Sequence, residues 1–462
     1  MAVSRRALRY RRVAVFVVAV CAGAAVPATG LTARSTSTER VGVLVHAAPG
    51  DMPDALVVAR RLGLRVGTTY PMIDVFVASG PRSIVERLVN ESSVDDLEAN
   101  ARLEYHTDTS HEATRGSSVL KGAIELHGRR IDGRGIGVAV VDSGVDATHP
   151  DLADRMGGNV RIVCTRPGFL VGTLTECAGP KEVVELDNTD TGGHGTHVTG
   201  IVAGTGAASD GAYHGAAPGS TVYGVGMGTV LLAENALDGL RWVLDNHDDV
   251  RPRIRVVNNS WGSGYDPQNY GDPETRALTK MVELLVDEGV TVVFSAGNTG
   301  GDGTEARTSL ECTIPKPGVI CVANYDDGNS GTRDGPIRTT SSRGVLEDPS
   351  TWPDVSAPGT NITATCRRTY ASCADAAAGD DYATLTGTSM AAPHVAGIAA
   401  QLLQVDPSLK PAALEDLLED TAHELEWGAP YSRDPANRDD KSSFEKGHGL
   451  VDVLAAVRSL IR

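Results

Sequence analysis

Residues 387–404 read GTSMAAPHVAGIAAQLLQ, a glycine-threonine turn followed by a helical pattern with a serine at its start. Apolar residues recur at the spacing of one buried helix face: Val395, Ile398, Ala399 and Leu402. Ser389 precedes this face, in the first turn, where main-chain N–H groups have no partner within the helix. Such a serine is a candidate nucleophile beside preformed donors for an oxyanion, although a helix cap is the commoner role of an isolated Gly-Thr-Ser.

A nucleophilic serine needs a base and an acid that orients the base, and two motifs upstream offer them. Asp142 ends an apolar run in VVDSGVDATHPDL, where its carboxylate can accept an imidazole N–H, although an aspartate turn is the commoner role of Asp-Ser-Gly. His194 opens GHGTHVTGIVAG after a glycine pair and is suited to general-base catalysis near neutral pH. A metal site on Asp142, His194 and His197 is the weaker interpretation, because no further ligand cluster accompanies them.

Two other strand ends carry candidate binding groups. Asn298 lies in VVFSAGNTG, and its side-chain amide can donate to an oxyanion, although a turn asparagine is common beside glycine. Residues 258–262, NNSWG, close another strand and can pair with an extended substrate through main-chain hydrogen bonds. Trp261 either lines a substrate pocket or belongs to the core.

Strand and helix patterns alternate from about residue 119 onward. We predict strands at 136–142, 221–225, 254–259, 290–295 and 319–324. We predict helices at 194–205, 230–245, 273–288 and 389–404. Short apolar strands alternating with helices indicate an α/β fold with a doubly wound, mostly parallel sheet. Sites in such sheets gather at the carboxyl ends of the strands, where the motifs above lie.

The chain before this region has two parts with different patterns. Five arginines within residues 1–12 precede an apolar run at 13–26 and small residues up to Ala33, which is the layout of a secretory signal peptide. The run is short for a membrane span of about 20 residues, so we expect a secreted, extracellular protein without a stable membrane anchor.

Residues 40–105 form a small α/β unit without chemical motifs. The predicted strands are 41–46, 72–78 and 98–104, with helices near 53–62 and 81–89. The polar stretch 106–118 suits an exposed linker. We therefore expect two folded units after the signal peptide.

The totals exclude some classes of function. A chain of 462 residues exceeds one average domain and can bury a large core. The formal net charge of −17 argues against nucleic acid as the main partner.

The order acid Asp142, base His194, nucleophile Ser389 is that of subtilisin. Across about residues 119–458 the sequence resembles the subtilisin family (subtilases) of serine peptidases. VVDSGVD, GHGTHVTG and GTSMAAPH resemble its three catalytic blocks, SAGN its oxyanion block, and NNSWG a substrate-binding strand. The framework stretches at 354–359 (DVSAPG) and 447–457 (GHGLVDVLAAV) are similar as well.

The resemblance implies a secreted serine endopeptidase made as a precursor. It implies a signal peptide at 1–33, a ferredoxin-like inhibitory propeptide at 34–112 that assists folding and is removed autocatalytically, and a subtilisin-like peptidase domain at 113–462. The partners would be protein or peptide substrates and the enzyme's own propeptide.

The resemblance also implies roles for individual residues. Ser389 attacks the scissile carbonyl, His194 relays the proton and Asp142 orients His194, while Asn298 and the Ser389 N–H hold the oxyanion. The implied substrate-binding residues are Asn259, Ser260, Trp261, Gly262, Ala296 and Gly297. No cofactor or metal is implied for catalysis. Calcium stays open, because 205–220 lacks the loop that holds calcium in some relatives, and 300–318 departs too far from the family pattern to map the specificity pocket.

Two other classes of function are weaker. A metal-dependent hydrolase using Asp142, His194 and His197 would be inhibited by a chelator rather than by a serine-directed reagent. An inactive, adhesive relative is disfavoured because all four catalytic positions are intact.

The chain has seven cysteines, of which Cys21 falls in the predicted signal peptide. The remaining even number suits disulfides in an oxidising compartment. Closeness in sequence predicts three pairs, each closing a surface loop: Cys164–Cys177, Cys312–Cys321 and Cys366–Cys373.

Overall fold

A computed structural model describes residues 40–71, 74–99, 108–165, 167–171, 174–177, 181–228, 233–263, 277–373, 380–425 and 442–461. The chain divides into two compact units, 1–104 and 105–462. The predicted signal peptide lies outside the described residues. Within them, no helix has the length and apolar character needed to cross a membrane.

The first unit is a four-stranded antiparallel sheet with two helices. Its elements are β1 Arg40–Ala47, α1 Met52–Arg61, β2 Arg65–Tyr70, β3 Val75–Pro81, α2 Arg82–Val85 and β4 Val94–Ala99. The strand order β2-β3-β1-β4 and the β-α-β-β-α-β sequence are those of a ferredoxin-like sandwich. Its core is formed by buried side chains that include Val45, Ala55 and Phe76.

The sequence predicts this first unit only in part. The strand at 41–46 and the helix at 53–62 are confirmed by β1 and α1. The strand predicted at 98–104 begins too late, because β4 spans Val94–Ala99, and residues 100–104 lie outside the described part of the chain. β2 was missed, since RVGTTY combines a charge, a glycine and hydroxyl side chains and shows no apolar alternation.

The second unit contains the longer series of elements. They are α3 Asp108–Ala113, α4 Gly116–Leu120, β5 Glu125–Leu126, β6 Arg129–Arg130, β7 Gly137–Asp142, β8 Met156–Cys164, β9 Pro167–Val171, β10 Leu174–Cys177, β11 Lys181–Glu185, α5 His194–Ala203, β12 Thr221–Gly226, α6 Ala233–Asn246, β13 Ile254–Asn259, α7 Ala277–Asp287, β14 Thr291–Ser295, β15 Val319–Tyr325, β16 Val355–Pro358, β17 Ile362–Thr365, β18 Tyr382–Leu385, α8 Thr388–Val405, α9 Pro411–Thr421 and α10 Val453–Leu460.

An eight-stranded sheet organises the second unit, in the order β11-β8-β12-β7-β13-β14-β15-β16. All neighbours from β8 to β16 pair in parallel, and only β11 runs antiparallel to β8. Helices cover both faces. In β7, Val138 and Val140 pack into the cluster that holds α5 and α8, whereas Ala139 and Val141 pack into the cluster that holds α6 and α7. Burial on both faces explains the continuous apolar strands, and the predicted doubly wound α/β fold is confirmed.

The sheet order brings distant motifs to one edge. β7 ends at Asp142, β13 at Asn259 and β14 at Ser295, and these three strands are neighbours. Parallel strands end at the same edge, so loops far apart in sequence meet there.

The prediction of an exposed linker at 106–118 is wrong for the residues that the structure describes there, from Asp108 onward. α3 and α4 occupy most of it, and Ser110, His111 and Thr114 are buried. The Nε2 atom of His394 in α8 lies 3.0 Å from Ser110 Oγ, and the ring of His111 stacks on His214 at a centroid distance of 4.5 Å. The polar composition therefore reflects internal hydrogen bonding in the second unit, not solvent exposure.

Two predicted disulfides are confirmed, Cys312–Cys321 and Cys366–Cys373. Cys164 is disulfide-bonded as well. Its pairing with Cys177 stays a prediction, because the side chain of Cys177 lies outside the described part of the structure.

Candidate active site

A carboxylate and an imidazole meet where β7 ends and α5 begins. Asp142 Oδ1 lies 2.8 Å from His194 Nδ1 and also accepts a hydrogen bond of 2.7 Å from the Ser143 N–H. The Asp142 side chain is 5% exposed and that of His194 is 31% exposed. Because a carboxylate only accepts, Nδ1 carries the ring proton, which leaves Nε2 as the basic nitrogen of neutral His194.

Glycine at position 195 allows this close approach of α5 to the loop after β7. A Cβ atom on Gly195 would lie 2.1 Å from the Gly144 carbonyl oxygen, which no side chain could tolerate. The Gly195 N–H donates to Ser143 Oγ at 2.9 Å. The first turn of α5 is therefore fixed to the loop that follows Asp142.

Asp190 is a positioning residue that the sequence analysis missed. Its Oδ1 accepts from the Gly193 N–H at 2.9 Å and from Ser143 Oγ at 2.9 Å, and its Oδ2 accepts from the Thr196 N–H at 3.1 Å. It thus joins the loop before His194 to the loop after Asp142. The available signal was an acid shortly before the glycine pair in DTGGH, which alone is no different from a turn aspartate.

The surroundings of His194 act on its pKa in opposite directions. Burial lowers the pKa, but the charge of Asp142, its hydrogen bond and the charge of Asp190 outweigh burial and raise the pKa above 6.5. A base whose pKa lies near the working pH takes up and returns a proton with little loss of driving force.

Ser389 is the second residue of α8, and it is bonded reciprocally to Ser260. The Ser389 hydroxyl donates to the Ser260 carbonyl at 3.0 Å, and the Ser260 hydroxyl donates to the Ser389 carbonyl at 2.8 Å. This pair ties the start of α8 to the end of β13. A serine hydroxyl has one proton, so transfer to His194 requires that proton to rotate away from Ser260.

Two unpartnered donors lie at the start of α8. Asn298 Oδ1 accepts from the Thr388 N–H at 2.9 Å and from Thr388 Oγ1 at 3.2 Å, which fixes the orientation of the amide. Among the described residues, neither the Asn298 Nδ2 nor the Ser389 N–H has a hydrogen-bond partner. Donors held in place without a partner are suited to binding an oxyanion.

The predicted substrate-binding residues of the β13 end fall into two groups. Asn259 is buried, and the Trp261 indole donates to the Val141 carbonyl at 2.8 Å and packs edge-on against Phe294, so the side chain of Trp261 belongs to the core. Gly262 is exposed, and its main-chain groups have no partner within the described residues. An extended peptide can pair with this free edge.

Ala296 and Gly297 offer a rigid wall instead of free hydrogen-bonding groups. The Ala296 N–H donates to Val322 at 3.0 Å, and its carbonyl accepts from Ser309 at 2.8 Å. The Gly297 N–H donates to Thr388 Oγ1 at 3.1 Å, and its carbonyl accepts from Ser342 at 2.9 Å.

The metal interpretation of His197 finds no support in the geometry. Its Nε2 lies 3.0 Å from the Ala383 carbonyl and 3.2 Å from the Ile362 carbonyl, so Nε2 carries a proton and cannot bind a metal. Burial lowers the pKa of His197 to about 3, and the ring is neutral. The residue stabilises the junction of α5 with β17 and β18.

Within the described part of the chain, one cluster of three acidic residues has the spacing of metal ligands: Asp354, Glu415 and Glu419. Burial raises the pKa of Glu415 to about 8, and burial together with the charge of Glu415 raises the pKa of Asp354. Asp354 Oδ2 accepts from the Cys321 N–H at 2.6 Å and Glu415 Oε2 accepts from the Gly318 N–H at 2.5 Å, so main-chain donors already engage both groups and we assign no metal to them.

Comparison with known proteins gives consistent matches. The profile of the subtilase family (Peptidase_S8) matches residues 133–449. The serine protease AprX of Bacillus subtilis (strain 168) is 32% identical over 354 residues, covering 73% of this chain and 71% of AprX. Subtilisin of Bacillus pumilus is 30% identical over 349 residues, covering 74% of this chain and 98% of that protein.

Two solved structures are similar in fold. Sphericase has a TM-score of 0.51 at 24% identity and covers 70% of this chain and 92% of its own. Fervidolysin from Fervidobacterium pennivorans, a keratinolytic enzyme related to subtilisin, has a TM-score of 0.50 at 24% identity, covering 92% of this chain and 62% of its own.

Proposed function

Because the chain belongs to the subtilase family and is a serine-type endopeptidase, we propose that it is secreted as a self-processing precursor and cleaves peptide bonds through an acyl-enzyme on Ser389. The observation that carries this proposal is the 2.8 Å contact between Asp142 and His194, since it gives the imidazole the tautomer a general base needs.

The proposed reaction has two halves. Ser389 Oγ attacks the scissile carbonyl while its proton passes to His194 Nε2, and the Ser389 N–H and Asn298 Nδ2 bind the oxyanion. Collapse of the tetrahedral intermediate transfers that proton to the leaving amine and leaves an ester on Ser389. Water then attacks the ester with His194 as base, which releases the carboxylate product and restores the serine.

Replacing Asn298 by alanine should lower kcat by about 10²–10³ with little change in KM, because the lost donor acts on charge that develops in the transition state. Steady-state kinetics on a peptide substrate measures both constants. Asn298→Asp is the matched variant, since it keeps an acceptor for the Thr388 N–H but replaces the donor by a second oxygen. It should lose at least as much activity. An effect confined to KM, or an active aspartate variant, would contradict the assignment.

The first unit is proposed as the inhibitory propeptide. In support, it has its own core and contains none of the residues of the candidate site. The boundary predicted at residue 112 would cut α3, whose Ser110 and His111 are buried in the second unit. We therefore place the maturation cleavage before Asp108.

The isolated segment 34–107 should inhibit the mature enzyme in trans at micromolar concentration, since a folded propeptide would occupy the substrate cleft. Residual activity against added segment gives the inhibition constant. The control is the same segment with Phe76→Asp, which buries a charge in its core and prevents folding. Full activity at micromolar wild-type segment would argue against the role, as would a mature N-terminus beyond Asp108.

A further inference from the structure

Glu311 is a buried carboxylate in the stretch 300–318, which the sequence could not map. Its side chain is 1% exposed, and it is bonded to Ser263, with Oε2 accepting from the main-chain N–H at 2.8 Å and Oε1 from the hydroxyl at 2.5 Å. Ser263 lies three residues after Ser260 in the chain, and the Ser260 carbonyl accepts the hydrogen bond of the Ser389 hydroxyl. The carboxylate therefore lies beneath the segment that a substrate would pair with.

The contacts around Ser309 place this carboxylate between two walls. The Ser309 N–H donates to Ala296 at 2.8 Å and its hydroxyl to Ser295 at 3.1 Å, so the stretch 309–311 is fixed to the end of β14. On the other side, a Cβ atom on Gly262 would lie 2.5 Å from Ser309 Cβ and 3.1 Å from Glu311 Oε2. Residues 309–311 thus form a floor between the segments 260–263 and 295–298.

Glycine at position 262 lets the main chain of this segment lie directly against residues 309–311, because a Cβ atom there would clash with Ser309. Gly262 is exposed, and it presents no side chain on the side that faces Glu311 Oε2. A peptide bound along this segment would place a side chain between the two walls, next to Glu311. The free main-chain groups of Gly262 supply the pairing edge for that peptide.

Glu311 lacks a cationic partner within the described residues, and both of its hydrogen bonds come from Ser263. A carboxylate has about four acceptor positions, so about two remain open. A carboxylate buried without a cation is unfavourable, and a lysine or arginine that reaches it recovers that free energy.

We propose that Glu311 makes the enzyme selective for a lysine or arginine as the residue whose carbonyl is attacked. The inference rests on the proposed role of Ser389. The reacting carbonyl would lie at Ser389, and the side chain of the substrate residue that carries this carbonyl would enter between the two walls. The planar guanidinium of arginine matches a carboxylate with two parallel hydrogen bonds, and the ammonium of lysine supplies a point charge.

A purely structural role for Glu311 makes a different prediction. If the carboxylate only fixed Ser263, its replacement would lower the cleavage of all peptides alike. A specificity role changes the ratio between peptides. The decisive quantity is therefore kcat/KM for a basic peptide divided by kcat/KM for an otherwise identical neutral one.

The test uses the mature enzyme and a series of peptides that differ only before the scissile bond, with lysine, arginine, glutamine or leucine. Wild type should prefer lysine and arginine over glutamine by about 100-fold, within the range for a buried charge pair. Glu311→Gln, which keeps an acceptor for the Ser263 N–H, should reduce that ratio to near one. Glu305→Gln removes an exposed carboxylate from the same stretch and should keep the wild-type ratio.

A wild-type preference for leucine, or an unchanged ratio in Glu311→Gln, would overturn the inference. Labelling of Ser389 by a fluorophosphonate separates this failure from that of the proposed function. A labelled serine without basic preference removes only the role of Glu311, whereas an unlabelled serine removes the acyl-enzyme. If Glu311→Gln does not fold, competitive inhibition of wild type by benzamidine but not by neutral benzyl alcohol supports the pocket, and equal inhibition by both refutes it.

Discussion

Replacing Ser389 by alanine should abolish peptide hydrolysis, with kcat falling by about 10⁶, the loss known for the nucleophile of subtilisin. The hydroxyl is the atom that would carry the acyl group, and Ser260, which is bonded to it, cannot substitute because its own hydroxyl donates to the Ser389 carbonyl. Initial rates on a chromogenic peptide measure the loss. Ser408→Ala, at an exposed serine beyond the other end of α8, should keep full activity. Near-normal activity of the Ser389 variant would remove the nucleophile assignment.

The same variant tests self-processing. Full-length Ser389→Ala should accumulate as an uncleaved precursor, because no acyl-enzyme can form at the maturation site. Added wild-type enzyme should convert it, which shows that the variant has folded. If the Ser389→Ala precursor matured unaided in a protease-free preparation, autocatalysis would be contradicted. The peptide assay would then be the remaining test of Ser389 as the nucleophile.

The parallel strands were predictable because burial on both faces leaves little choice of residue. The expected strand 254–259 coincides with β13, and the expected helix 389–404 differs from α8 by one residue at each end. Glycine and polar residues end these runs sharply. The sequence alone therefore places the motifs at their carboxyl ends at one edge of the sheet.

The antiparallel edge of the sheet was not predictable in the same way. β8 and β11 pair charged residues with valines, Arg161 with Val184 and Glu182 with Val163, and Glu182 is exposed. β11, at the edge, is covered on fewer sides than a central strand, so its sequence lacks the apolar run that signals burial. The sequence consequently predicts no strands for the segment between β7 and α5.

Contacts between distant side chains were beyond the sequence for another reason. Asp190 and Glu311 each look like a surface acid in a loop, and only folding brings Asp190 to Ser143 in the loop after Asp142 and Glu311 beneath Gly262. Trp261 shows the converse, because its position in NNSWG suited a pocket, yet its indole N–H is used by the core strand β7.

Replacing Asp142 by asparagine should leave the fold intact and lower the plateau of kcat/KM by about 10⁴. A loss of this size is known for the same substitution of a triad aspartate. An amide N–H turned toward Nδ1 would favour the tautomer with its proton on Nε2, which cannot accept the proton of Ser389. In wild type, the Oδ2 atom of Asp142 is buried without a partner among the described residues, so its charge acts largely on His194.

The pH profile gives Asp142→Asn a second, independent readout. The charge of Asp142 helps to raise the pKa of His194, while burial opposes it. Activity requires neutral His194 and therefore rises as pH increases through that pKa. Removing the charge leaves burial in place and lowers the pKa, so the acidic limb of kcat/KM should move to lower pH even as the plateau falls. The control is Asp187→Asn, at an exposed position before the loop that leads to His194. It should change neither the acidic limb nor the plateau. An acidic limb that stays in place, or a plateau within tenfold of wild type, would show that Asp142 does not orient the base.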